Sequence, residues 1–184
     1  MKIILIGMRA SGKTMLGQFL KESLHADFFD LDHVFEAEKN MTIKDFIKQN
    51  SFEEFRNQEE EILKKYISGS NYRLQIIATG GGIIERINNR KLLQNHTPVI
   101  FINRDFNDIL ATLKDDKTRP SLTGKSLLEE STDIYNKRIP FYKNLADYTF
   151  SYSDSTEAWE VITNNFLELT NKIVNQNAPK QVNY

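Results

Sequence analysis

The chain has 184 residues and a mass of 21.4 kDa, enough for one domain with a core of its own and no need of stapling. Lys and Arg total 24 against 25 for Asp and Glu, so no overall charge draws the chain to a nucleic acid or a membrane, and any basic site must be local. Cysteine is absent, which removes disulfides, thiolate metal sites and cysteine nucleophiles together, and His25, His33 and His96 lack metal-ligand spacing.

The chain opens on an apolar run, residues 2–6, too short for a signal peptide or a membrane span, and the expected location is the cytoplasm. Short apolar runs over 2–6, 27–31, 74–78, 99–102 and 148–152 alternate with segments of helical period. That pattern belongs to an α/β chain with a parallel sheet buried on both faces.

After the first run, Gly7-Met8-Arg9-Ala10-Ser11-Gly12-Lys13-Thr14 matches the phosphate-loop pattern between a strand and an amphipathic helix whose stripe is Leu16, Phe19, Leu20 and Leu24. Backbone N–H groups from Gly7 to Met15 are expected to cradle phosphate oxygens, with Lys13 near the β and γ positions and Thr14 directed at magnesium. The loop implies a nucleotide without choosing the reaction. The D-x-x-G and N-K-x-D elements of common GTPases are missing, and the third run ends in Thr79 and Gly80-Gly81-Gly82 without the carboxylate that many ATPases carry there.

The metal-side acid must therefore come from elsewhere, and the obvious donors are Asp30 and Asp32, expected to point to one side of the extended second strand. One would serve magnesium and the other an acceptor hydroxyl, although alone the pair also fits a loop start or helix cap. Residues 31–66 read as a helical insertion. Within it Ser51 and Glu54 form a capping signal, and Phe52, Phe55, Ile62, Leu63 and Tyr66 a stripe on which Glu59 falls. Arg56 can pair with Glu59, either as a buried site or as a surface salt bridge.

Residues 114–126 are polar and read as a mobile cover carrying Arg119, or else as a disordered crossover. Arg138 precedes Ile139-Pro140, where a helix is expected to stop. Arginines gathered near a kinase site suit an anionic acceptor. A last helix is expected to start at an Asp154/Glu157 cap and to bury Trp159, Ile162, Phe166, Leu169 and Ile173, and the polar tail 175–184 is expected to fray.

The phosphate loop, Asp30-x-Asp32, Phe55-Arg56-x-x-Glu59, the glycine triplet, Arg119-Pro120 and Arg138-x-Pro140-x-Tyr142, taken together and in this order, resemble the shikimate kinase family from Lys2 to about Ile162. The resemblance implies a P-loop kinase of the nucleoside-monophosphate-kinase type: a parallel sheet in the order 2-3-1-4-5, one domain over residues 1–174, a substrate-binding helical region over 32–66 and a lid over 114–126.

It further implies transfer of the ATP γ-phosphoryl group to the 3-hydroxyl of shikimate, as in chorismate and aromatic amino acid biosynthesis, with Mg²⁺ as cofactor. The chain is expected to be a monomer, and its charge balance to leave it without a nucleic-acid or membrane partner. Carried over, Asp32 holds the shikimate hydroxyls and acts on the attacking one, and Asp30 supports magnesium through water. Arg56 and Arg138 grip the carboxylate, Glu59 positions Arg56, and the amides of Gly80, Gly81 and Gly82 contact shikimate. Lys13 and Arg119 stabilise the transferring phosphoryl group.

The lid departs from the family at Ser121, no arginine matches the one that stacks on adenine (Lys114 is the nearest basic residue), and 150–154 match the base-binding strand end only loosely. Another small-molecule kinase, such as a gluconate or nucleoside monophosphate kinase, and a non-catalytic nucleotide-binding relative are the alternatives.

Overall fold

Five apolar segments pair as β1 (Lys2–Ile6), β2 (Asp27–Asp30), β3 (Gln75–Ala78), β4 (Val99–Arg104) and β5 (Tyr148–Tyr152) in the computed structural model, which describes residues 1–69, 73–96, 98–115 and 126–177. All the pairings are parallel and the order is 2-3-1-4-5, as expected. Each parallel step needs a crossover, and the sequence supplies helices: α1 (Lys13–Leu24), α2 (Leu31–Lys39), α3 (Ile43–Gln49), α4 (Phe52–Ser68), α5 (Ile87–Gln94), α6 (Phe106–Asp115), α7 (Leu127–Leu145) and α8 (Trp159–Asn177).

The twofold alternation of the strands divides the core between the two faces of the sheet. On one, Ile4, Ile6, Ile77, Val99 and Phe101 pack with Phe35, Phe55, Leu63 and Tyr142 of α2, α4 and α7. On the other, Ile3, Leu5, Ile76, Ile100 and Ile102 pack with Leu16 and Leu20 of α1 and Ile162, Phe166 and Ile173 of α8. Because consecutive residues of β1 belong to different clusters, the central strand is buried on both sides. The Phe35 ring meets those of Phe46 and Phe55 edge-on at 5.0 and 5.1 Å, which joins the three helices of the 31–66 insertion into one layer.

Several local expectations are corrected. β2 stops at Asp30, whose carboxylate accepts from the Asp32 backbone N–H at 3.0 Å and so caps α2. The two aspartates are therefore a cap and a first-turn residue, not alternate positions of one strand. Phe52 of the α4 stripe is exposed. α7 does not stop before Pro140 but continues to Leu145, because Tyr142 and Leu145 are buried and the Tyr142 ring stacks on Phe101 at 5.1 Å. Burial of those side chains outweighs the one backbone hydrogen bond that proline removes.

α8 starts at Trp159, not at an Asp154 cap, since Asp154 is engaged by Arg104, and Trp159 lies exposed at its start. The helix also runs through Asn177, past the point where fraying was expected, while 178–184 fall outside the described residues.

Candidate active site

The phosphate loop leaves β1 at Gly7 and enters α1 at Lys13. Gly12, the residue before the helix, has φ +83°, a left-handed conformation that glycine adopts without strain, and a Cβ there would collide with the Tyr152 hydroxyl. The loop is tied from outside as well. Tyr152 donates to the Ser11 carbonyl at 3.1 Å, and Arg104 donates to the Ala10 carbonyl at 2.7 Å while its other nitrogens hold Asp154 at 2.6 and 2.7 Å. With those carbonyls turned outward, the loop N–H groups and the N-terminus of α1 make an anion cradle.

Lys13 is buried under this loop, donating to the Gly7 and Met8 carbonyls at 3.0 and 2.7 Å and to Ser11 Oγ at 3.3 Å. Burial pulls its pKa down from 10.5 to about 8, against the nearby Asp32 and Asp30 charges and with help from Arg138. Thr14 Oγ1 donates to Asp30 Oδ2 at 2.5 Å, so hydroxyl and carboxylate converge beside the cradle. Met15 follows in the first turn of α1, with its side chain in solvent. Among the described residues no group of three or more His, Asp or Glu side chains gathers for a metal. A hydroxyl and one carboxylate suit magnesium, which keeps water and phosphate oxygens as its remaining ligands.

Opposite the cradle, Arg56 and Glu59 of α4 form a pair of 2.6 Å with side chains 9% and 6% exposed, which decides for the buried site over the surface salt bridge. Burial raises the Glu59 pKa, and the Arg56 charge opposes that rise. Arg138 of α7 donates through Nε and Nη2 to Glu85 Oε1 at 3.1 and 2.8 Å, and Arg56 Nη2 lies 3.5 Å from Glu85 Oε2. The guanidinium groups of α4 and α7 therefore meet at one carboxylate.

The glycine triplet forms the wall between the two halves. A Cβ on Gly81 would lie 2.9 Å from the Arg9 backbone nitrogen, one on Gly82 2.0 Å from Arg56 Nη2, and one on Gly80 2.7 Å from both Asp32 Oδ1 and Glu59 Oε1. Any side chain here would push the phosphate loop, the guanidinium or the carboxylates away. Tyr142 donates its hydroxyl to the Gly81 carbonyl from beneath, and burial pushes its own pKa up.

The structure thus brings together Lys13, Thr14, Asp30, Asp32, Arg56, Glu59, the triplet and Arg138. Arg119 and nearly all of the expected lid lie outside the described residues. Reading by sequence missed the loop ties Arg104 and Tyr152, which carry no local signal because the β4 and β5 ends meet the loop only in the fold. It also missed Glu85, whose one mark was an acid just after Ile83-Ile84.

A parallel 2-3-1-4-5 sheet with a phosphate loop after its central strand defines a P-loop kinase fold of the nucleoside-monophosphate-kinase type. The sequence model for shikimate kinase matches residues 9–175, and the chain belongs to the shikimate kinase family. It is similar to the shikimate kinase from Acinetobacter baumannii solved in complex with shikimate, with a TM-score of 0.81 and 26% identity over 97% of this chain and 95% of that one. The Aquifex aeolicus shikimate kinase gives 0.77 and 26% over 97% and 100%. The pentafunctional AROM polypeptide of Eremothecium gossypii is 36% identical over 157 residues, 80% of this chain, and the chain spans 9% of that protein's length. Among the described residues no helix is long and apolar enough to cross a membrane.

Proposed function

We propose that this chain transfers the γ-phosphoryl group of ATP to the 3-hydroxyl of shikimate, giving shikimate 3-phosphate and ADP. The observation that carries the reading is the shared wall: one glycine triplet touches the phosphate loop on one side and Arg56, Asp32 and Glu59 on the other. A phosphoryl group in the cradle and a hydroxyl at Asp32 then face a single cleft, and proximity of that kind supplies much of the rate in a reaction with little covalent work for the protein. Membership of the family and the shikimate bound by the A. baumannii relative support the choice of acceptor.

In this reading Arg56 and Arg138 hold the acceptor carboxylate, and Glu59 fixes Arg56 in its rotamer. The amides of Gly80, Gly81 and Gly82 line the acceptor's ring. Asp32 orients the 3-hydroxyl and receives its proton as the oxygen–phosphorus bond forms and the β–γ bridging bond breaks towards ADP. Gly7, Ala10, Ser11, Gly12 and Met15 offer backbone donors to the triphosphate, and Lys13 compensates charge on the transferring group.

Thr14 and Asp30 would hold the nucleotide's Mg²⁺, which when bound neutralises phosphate charge. Arg119 would act from a lid over 114–126, closing the cleft against water. The reading also takes the chain as one kinase domain with acceptor helices over 32–66, working as a cytoplasmic monomer without nucleic acid or membrane.

The test is a coupled ADP-release assay with ATP, Mg²⁺ and shikimate, run beside gluconate and a nucleoside monophosphate. Shikimate-dependent turnover with product phosphorylated at the 3-oxygen is expected. Turnover with either rival acceptor and none with shikimate would overturn the assignment.

A further inference from the structure

Glu85 stands where two arginines converge, yet phosphoryl transfer as derived above gives it no task. It closes the short 3-10 turn Ile83–Glu85 that follows the glycine triplet, with its N–H bonded to the Gly82 carbonyl at 3.0 Å, so its side chain is launched from the acceptor wall itself. One carboxylate oxygen takes both Nε and Nη2 of Arg138 at 3.1 and 2.8 Å, and the other faces Arg56 Nη2 at 3.5 Å. That is the arrangement of a carboxylate gripped by two guanidinium groups.

Arg56 is only partly used by its neighbours. Glu59 holds its Nη1 at 2.6 Å, its Nη2 reaches Glu85 beyond hydrogen-bond distance, and its Nε is buried without a hydrogen-bond partner. An unsatisfied buried donor on a guanidinium is costly. The charges point the same way. Arg56 and Arg138 face the carboxylates of Glu59 and Glu85, with the Asp32 charge felt at Glu59 and the Lys137 charge at Glu85, so positive and negative groups are already balanced before another carboxylate enters.

We propose that Glu85 is a resident counter-carboxylate: it takes the place on Arg56 and Arg138 that an acceptor's carboxylate would take, and must swing away when a carboxylated acceptor binds. The device sets specificity as well as affinity. A ligand bringing its own carboxylate restores the balance around Arg56 and Arg138 as Glu85 leaves, whereas a neutral polyol would have to displace Glu85 and leave the guanidinium groups uncompensated in a half-buried site. A side chain that is 27% exposed has solvent on one flank into which to move.

The inference rests on the reading of shikimate as acceptor, and the experiment separates the two. Shikimate binding is measured by calorimetry on the full chain for the parent and for Glu85→Gln, with thermal melts to verify folding. The parent is expected to bind, and the variant to bind at least about 10-fold tighter, because the uncharged amide competes only weakly for Arg138 and does not repel the incoming carboxylate. A parent that binds no shikimate overturns the assignment of the acceptor, and this inference with it. A parent that binds while Glu85→Gln binds equally or more weakly overturns the inference alone, since Glu85 would then be a buttress for the arginines.

The second measurement needs no variant. In a structure of the parent with shikimate, Arg138 is expected to have exchanged Glu85 for the ligand, and an unbroken Arg138–Glu85 contact overturns the proposal.

Discussion

Replacing Arg56 by methionine keeps most of the stem volume and removes the charge that faces Glu59. Both residues are buried, Arg56 at 7% and Glu59 at 6% exposure, and their charged atoms lie 2.6 Å apart. Loss of one partner of such a pair leaves an uncompensated buried charge and costs roughly 3–5 kcal/mol. The low end, about 3 kcal/mol, is expected because Glu59 escapes by taking a proton, its pKa being already raised by burial against the opposing Arg56 charge. For a chain of this size that lowers Tm by roughly 6–12 °C at neutral pH.

The sign with pH follows from the same group. A carboxyl whose folded pKa lies above its 4.5 reference binds its proton more tightly in the folded state, so the stability it contributes is present at low pH and lost as pH rises through the folded pKa. Without Arg56 the rise is larger, and the deficit against the parent must be smaller at about pH 5 than at about pH 8.

Urea unfolding followed by circular dichroism measures both. The double variant Arg56→Met/Glu59→Gln is expected to recover at least about 2 kcal/mol, since the amide needs no counter-charge. Shikimate turnover is expected to be lost in both variants, because neither carries the Arg56 guanidinium. A cost below about 1 kcal/mol for Arg56→Met, or no recovery in the double variant, would refute the account of the pair as buried and mutually dependent.

Three further outcomes are expected. Asp32→Asn keeps ATP binding near that of the parent, by calorimetry, and lowers turnover at least ~100-fold, and unchanged turnover would remove Asp32 from the proton transfer. Gly82→Ala places a methyl group 2.0 Å from Arg56 Nη2. Displacement of the guanidinium should raise the KM for shikimate at least ~10-fold with little effect on that for ATP, as steady-state kinetics would show, and equal effects on both would argue against a carboxylate grip at Arg56. Because burial lowers the Lys13 pKa to about 8, its charge is present below that pH and lost above it. The kcat/KM for ATP should therefore fall on the alkaline side through a pKa near 8, and a profile flat to about pH 9.5 would contradict it.

Local chemistry was enough for the α/β class, for the position of every strand to within about two residues, and for the phosphate loop. Apolar runs form strands wherever they are buried on both faces, and Gly12 fits a left-handed turn in any context. Arg56 and Glu59 were legible as a pair because one helical turn brings them together, but whether the pair was buried could not be read from spacing.

Long-range packing set the remaining features. It carried α7 through Pro140, because the stacking of Tyr142 on Phe101 is a contact between distant segments. It made Asp30 a helix cap that also receives Thr14, and it set Arg104 and Tyr152 against the phosphate loop. It brought Arg56 and Arg138, far apart along the chain, to the single carboxylate of Glu85. The physical reason is the reach of the forces involved: backbone conformation and helical spacing are fixed by near neighbours, whereas the pairing and burial of charges depend on which surfaces the folded sheet and its helices bring together.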